Sequence, residues 1–201
     1  MPHRATFQVA QLAYDVTVRF CERYIDFKSR TRDQMVQAAR SGVQNIAEGS
    51  QASGTSKKTE LRLTNVARAI LEELRLDYED FLRQRGLKMW APDHPALVRF
   101  KAKRCATLEE VRKWVAEEHG RTRTGTDKHR PTTKMSVKVS ERPCESVPKP
   151  EELVANAALS LLNLACYLLD RQLAAQAAAF EKEGGFTERL YRVRSQRRAQ
   201  P

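Results

Sequence analysis

Six basic residues, Arg121, Arg123, Lys128, Arg130, Lys134 and Lys138, recur within one polar stretch of the chain, and five more, Arg189, Arg192, Arg194, Arg197 and Arg198, crowd its end. Side chains of this type neutralise phosphates and release the counterions condensed around them. Runs of them therefore give salt-sensitive binding that is largely indifferent to base sequence. Residues 121–150 hold eight Lys/Arg against three Asp/Glu, and residues 184–201 hold five Arg against one Glu. These two segments supply most of the net charge of +11. The chemistry they point to is contact with RNA or DNA, with the acidic surface of a protein as the rival ligand. A third set, Arg62, Arg68, Arg75 and Arg83, is interrupted by Glu72 and Glu79, so for one subunit a self-paired, solvated face is the plainer account. A homo-oligomer would repeat each patch and make weak patches effective together.

No comparable grouping supports catalysis. Asn45 and Glu48 lie three apart, on one side of a helix, but no positioned base, nucleophile or metal ligand accompanies them. They read as structural: Asn45 bonding to a neighbouring helix or the following loop, Glu48 helping to close the helix end. The four cysteines, Cys21, Cys105, Cys144 and Cys166, form no CxxC pair and share no ligand spacing with the histidines. Free thiols in a reducing cytoplasm are expected, with no metal and no cofactor. Trp90 and Trp114 read as packing residues, His94 and His119 stand alone, and no aromatic platform for stacked bases is evident. The chain reads as a non-enzyme.

Positioning these groups falls to helices, since Ala, Leu, Arg, Glu and Gln abound while Gly and Pro number 8 each. A first helix is expected from about Thr6 to Lys28 on the stripe Leu12, Val16, Phe20 and Phe27. A second is expected from Thr31-Arg32-Asp33, whose Thr and Asp suit capping, to a terminating Gly49, with Met35, Ala39, Gly42, Val43 and Ile46 inside. The third, Lys57 to Arg85, carries Leu63, Val66, Ala67, Ile70, Leu74 and Phe81 on one face. Trp90 to Pro95 reads as a turn and Ala96 to Glu118 as an additional helix. Gly120 to Lys149 reads as a basic linker, in which Met135 to Val139 alternates like a short extended piece. Pro150 opens a last long helix that ends before Gly184. Leu153 to Leu169 carries no charged side chain, but Asn156, Ser160 and Asn163 interrupt it. A buried helix fits it better than a membrane span. Its leucines exceed what one bundle face needs, so a second buried contact is expected, either with the Ala96–Glu118 helix or with another subunit.

The stretch Arg40-Ser41-Gly42-Val43-Gln44-Asn45-Ile46-Ala47-Glu48-Gly49 resembles the best-marked motif of the small four-helix-bundle proteins encoded within ribosomal-RNA intervening sequences. That family also looks to include the accessory variability determinant of diversity-generating retroelements. Leu63 to Leu74 is similar to the family's next helix, and Leu168-Leu169-Asp170-Arg171-Gln172-Leu173 with Phe180 to Arg189 looks like a suffix region that a subset carries. The resemblance covers about two thirds of the chain. It implies an up-down bundle assembled into a ring, commonly a pentamer, and, for the retroelement members, binding to reverse transcriptase and template RNA. The Gly86–Lys149 stretch departs from the family pattern. It leaves Ala96–Glu118 and Pro150–Glu183 as rivals for the fourth bundle helix, the second being preferred.

The expectation is therefore an all-α protein, an antiparallel up-down four-helix bundle with an additional helix and a basic linker. Residues 1–86 would give three bundle helices, 87–149 the additional helix and linker, and 150–201 the fourth helix with its suffix and Arg-rich tail. Its function would be that of an oligomeric accessory protein binding RNA or DNA, a reverse transcriptase, or both. The alternative is a structural module that docks an acidic protein without nucleic acid.

Overall fold

Helical periodicity governs the chain. The computed structural model describes residues 2–127, 148–184 and 186–198, and these form helices with no strand among them. In order they are α1 (Pro2–Tyr24), α2 (Arg30–Ala52), α3 (Lys57–Gln84), α4 (Pro95–Lys103), α5 (Leu108–Asp127), α6 (Pro150–Glu183) and α7 (Phe186–Arg198). The fold is all-helical and bundle-like. Helix α1 packs on α2 and α6, and α3 packs on the same two, so the four long helices form a closed cycle of neighbours. The extended piece expected over Met135–Val139 lies outside the described residues.

The tightest approach is between α2 and α3, and two glycines permit it. A Cβ placed on Gly42 would lie 2.5 Å from Cδ2 of Leu71 and 2.9 Å from its Cγ. At Gly49 the nearest atoms to such a Cβ are Cβ of Leu63 at 3.4 Å and the Glu60 carbonyl at 3.5 Å. Gly42 thus meets the middle of α3 and Gly49 its beginning, so the two helices run antiparallel. Gly49 does not end α2, as expected from sequence. It is buried within the helix, where lack of a side chain serves contact rather than termination.

The buried face of α3 runs through Glu60, Thr64, Ala67, Leu71, Leu74, Tyr78 and Phe81. This is a slight rotation from the stripe read in the sequence, and it leaves Val66 exposed. The polar members on the inner line are satisfied internally. Tyr78 Oη donates to Thr17 Oγ1 at 3.0 Å, and Thr17 Oγ1 donates to the Ala13 carbonyl at 2.7 Å. Phe20 packs against Tyr78 and Phe81 with ring centroids 4.9 and 4.7 Å away. Helix α1 stops at Tyr24, earlier than expected, and the Lys28 amide donates to Asp26 Oδ1 in the turn beyond. Phe27 therefore lies outside the helix and is exposed, although its spacing placed it on the inner stripe. Helix α2 starts at Arg30, ahead of the Thr31 and Asp33 expected to cap it.

Helix α6 runs antiparallel to α3: Glu60 meets Gln176, Arg68 meets Asp170, and the segment after α3 meets Asn156. It packs on α1 and α3, and part of its surplus of leucines is taken up within the chain, because α4 and α5 also lie on it, while Leu164 stays exposed. The connection from α3 to α4 is fixed by the two polar groups on α6's buried side. The Trp90 backbone N–H donates to Asn156 Oδ1 at 2.8 Å, and its indole N–H donates to Glu152 Oε1 at 3.1 Å. Asn156 Nδ2 donates in turn to the carbonyls of Lys88 and Glu152, each at 2.9 Å.

The single helix expected over Ala96–Glu118 is two. Arg104 adopts the left-handed conformation (φ 49°) and closes α4, and a capping box opens α5. In that box the Glu110 amide donates to Thr107 Oγ1 at 3.3 Å, while Glu110 Oε2 accepts from the Thr107 and Ala106 amides at 3.2 and 2.6 Å. The pair is then fastened by Arg99, whose guanidinium forks onto Glu118 at 2.7 and 2.6 Å, and by Phe100 against Trp114. Helix α5 continues to Asp127, so the stretch expected to be linker from Gly120 begins as helix.

The two glycines predict opposite outcomes. Gly42→Val overfills the contact with Leu71 and should lower stability by about 1–3 kcal/mol. Gly49→Ala meets only ordinary contacts and should leave stability unchanged or raise it by up to about 1 kcal/mol through helix propensity. Urea denaturation of both variants tests this, and a Gly42→Val protein as stable as the parent would contradict the α2–α3 approach.

Candidate polyanion-binding surfaces

The four arginines singled out on α3 differ sharply in their surroundings. Arg62 is exposed and has no ion-pair partner among the described residues. Arg68 Nε donates to Asp170 Oδ1 on α6 at 2.8 Å, not to the Glu72 of its own helix. Arg75 donates to Glu72 Oε1 through Nε and Nη2, at 3.2 and 2.6 Å, and also to Glu79. Arg83 grips Asp80 at 3.1 and 2.8 Å. The Arg75 bond holds the Glu72 carboxyl below the usual carboxylate range. A phosphate approaching these three arginines would have to displace a carboxylate already in place. On the side of α3 facing α2, Glu73, Asp77 and Asp80 stand close enough to repel one another. Desolvation, then these neighbours, raises the carboxyl of Asp77.

Arg121 and Arg123 belong to α5, and Arg121 lies 3.5 Å from the Glu118 carboxylate that also holds Arg99. Lys128, Arg130, Lys134 and Lys138 lie outside the described residues. The tail arginines Arg189, Arg192, Arg194, Arg197 and Arg198 all fall on α7, where Arg194 and Arg198 are exposed. Leu190, Tyr191 and Val193 of the same helix are exposed as well. The structure therefore does not gather the three sets of basic residues into one preformed groove among the described residues.

Asn45, Glu48 and Gly49 separate into unlike roles. Asn45 Nδ2 donates to the Ser41 carbonyl of its own helix at 2.8 Å, not to a neighbouring helix or loop. Glu48 is exposed, and α2 runs past it to Ala52, so it does not close the helix end. Only Gly49 reaches another element.

The buried carboxylates serve packing. Glu60 accepts from Gln176 at 3.0 Å and from Lys57 at 3.2 Å, Glu118 from Arg99, and Glu152 from the Trp90 indole. Cys21, Cys105 and Cys166 are free thiols, and burial pushes Cys21 up to about 12 and Cys166 up to about 11. No cluster of His, Cys, Asp and Glu with metal-binding geometry occurs among the described residues. Helix α6 is long and apolar enough to cross a membrane, but 67% of its most apolar window is buried against other helices.

Sequence reasoning passed over three features. Thr107-Leu108-Glu109-Glu110 carries the capping-box spacing and could have located the α4–α5 break. Asn156 was visible as a polar interruption, without any sign of Trp90 as its partner, and the role of Glu152 towards the same Trp90 left no mark in the sequence. His94 stacks on Trp90 with centroids 4.2 Å apart, a contact without a local sequence signal. Comparison of the chain with protein-family models, curated proteins and solved structures finds no match.

Two measurements follow. Asp170→Asn releases Arg68 from an exposed pair and should change stability by less than about 1 kcal/mol; a larger loss in urea denaturation would show that the pair is structural. The Cys21 thiol has its pKa raised on folding, so its contribution to stability is complete below about pH 9 and is lost as pH rises towards 12. Stability should therefore fall from about pH 9 towards pH 12, and Cys21→Ala should flatten that fall.

Proposed function

We propose that this chain is a basic, non-catalytic accessory protein that binds RNA or DNA, a reverse transcriptase, or both, and so supports mutagenic cDNA synthesis in a diversity-generating retroelement. In this reading α1, α2, α3 and α6 are an antiparallel up-down four-helix bundle, with α6 as the fourth helix. The bundle assembles into a homo-oligomer, a pentamer by the family resemblance, in the cytoplasm and without a membrane. The observation that carries the reading is the placement of charge. The α3 arginines are largely engaged with carboxylates, whereas residues 121–150 and 184–201 hold thirteen Lys/Arg against four Asp/Glu. Cation-rich segments attached to a self-neutralised body suit contact with a phosphate backbone, where each neutralised phosphate releases counterions. The Asn45–Gly49 motif supplies the link to the retroelement family. Helices α4 and α5 take up part of the apolar surplus of α6 and weaken its argument for assembly, so a ring rests on the resemblance alone.

Mobility shifts with a single-stranded RNA and a DNA duplex, from about 50 to 200 mM salt, test the reading. Affinity should fall steeply with salt. Deleting residues 186–201 should reduce both affinity and salt slope, whereas Arg75→Ala and Arg83→Ala should change them little. Absence of any complex at low salt, by the protein alone and with a cognate reverse transcriptase, would sink it.

A further inference from the structure

Helices α4 and α5 cover only part of the outer face of α6. Further along, that face stays apolar but loses its cover: Leu164 is 45% exposed and Tyr167 56%, and Met89 from the α3–α4 connection is 61% exposed beside them. These three residues line one groove between α4 and α6, with Trp90 and Phe100 in its floor. Large apolar side chains exposed singly are ordinary, but three on one concave surface are not.

The edge of the groove is cationic. Lys101 and Arg104 line it from α4, and the guanidinium of Arg171 lies 5.9 Å from the Tyr167 ring. Arg104 is exposed, without an ion-pair partner among the described residues, and it occupies a left-handed position where glycine would sit without strain. The carboxylate lining the groove, Glu79, is already bound by Arg75. An occupant must therefore bring an apolar stripe and negative charge along its edge.

We propose that this groove docks an amphipathic helix of a protein partner. Its apolar residues would seat on Met89, Leu164 and Tyr167, and its acidic residues would face Lys101, Arg104 and Arg171. Helix-in-groove recognition needs this combination of anchors at helical spacing and a complementary rim. The chain's own α7 does not meet the requirement, since it holds five Arg against one Glu. A second copy, at net +11, brings the same sign of charge. Nucleic acid would satisfy the rim but has no aliphatic stripe for the floor. The site is separate from the basic segments that carry the proposed function and stands or falls without them.

The probe is a dye-labelled synthetic amphipathic helix of about 18 residues, with a Leu/Phe stripe flanked by Glu, and a twin flanked by Lys. Fluorescence anisotropy with the full chain should show binding of the Glu-flanked peptide, accompanied by a shift in tryptophan emission from Trp90. Leu164→Asp and Tyr167→Asp, both at exposed positions, should each weaken it tenfold or more while circular dichroism stays unchanged. The double variant Lys101→Glu/Arg104→Glu should reverse the preference towards the Lys-flanked twin. Equal affinity for the two peptides, or indifference to all the groove variants, would overturn the proposal. So would displacement by the groove variants of a single-stranded RNA instead of the peptide, or dispersal by Leu164→Asp of a homo-oligomer in sedimentation.

Discussion

Two polar side chains on α6, Asn156 and Glu152, fix the segment that follows α3. The backbone from Lys88 to Trp90 lies against α6, with the Trp90 amide buried and the Lys88 carbonyl half-buried, and a buried peptide group without a partner is costly. Asn156 answers both needs at once, accepting from the Trp90 amide and donating to the Lys88 carbonyl, while Glu152 takes the indole N–H. With that segment fixed, α4 and α5 are delivered onto α6 rather than into solvent, and their apolar sides cover leucines that α1 and α3 cannot reach. The same anchoring sets the orientation of Trp90, and with it the floor of the groove beside Met89.

The electrostatics follow a complementary logic. In the helical body several arginines have an anion assigned: Arg68 to Asp170, Arg75 to Glu72 and Glu79, Arg83 to Asp80, Arg99 to Glu118. The exposed ones among them, Arg68–Asp170 and Arg83–Asp80, contribute little to stability, and all lower the positive field that the body presents. The excess is left to the segments at 121–150 and 184–201. In the proposed reading, cationic segments on a body of lower charge would divide charge recognition from shape recognition, with the α4–α6 groove on the side of shape.

The helices themselves were legible because apolar residues recur at helical spacing, and boundaries at α3 and α6 fell close to expectation. What failed was finer geometry. The α3 stripe was read through Val66 and Ile70 because both are aliphatic, whereas the buried line takes in Thr64 and Tyr78, polar residues whose partners lie on their own helix and on α1. Gly49 was read as a terminator because glycine often ends helices, and only the neighbouring helix reveals that it is there for closeness. Phe27 kept the helical interval after the helix itself had ended. For the candidate site, the basic residues were visible as composition, but their pairing was not. Arg68 finds its carboxylate 102 positions away, and no local pattern encodes that.

One more consequence comes from the way α5 ends. Glu118 ties it to α4 through Arg99, and from there the helix runs on to Asp127, projecting roughly 13 Å beyond that tie at 1.5 Å per residue. The chain is back at Pro148, whose carbonyl lies 3.3 Å from Nδ1 of His119, on the same helix it left. The two ends of the intervening residues, 128–147, are thus held at one element. Lengthening a closed loop is cheap, about 0.6 kcal/mol for each doubling. A change in the length of that segment therefore alters its closure entropy by little. The polyanion affinity proposed for this molecule would in that sense be a separately evolvable trait.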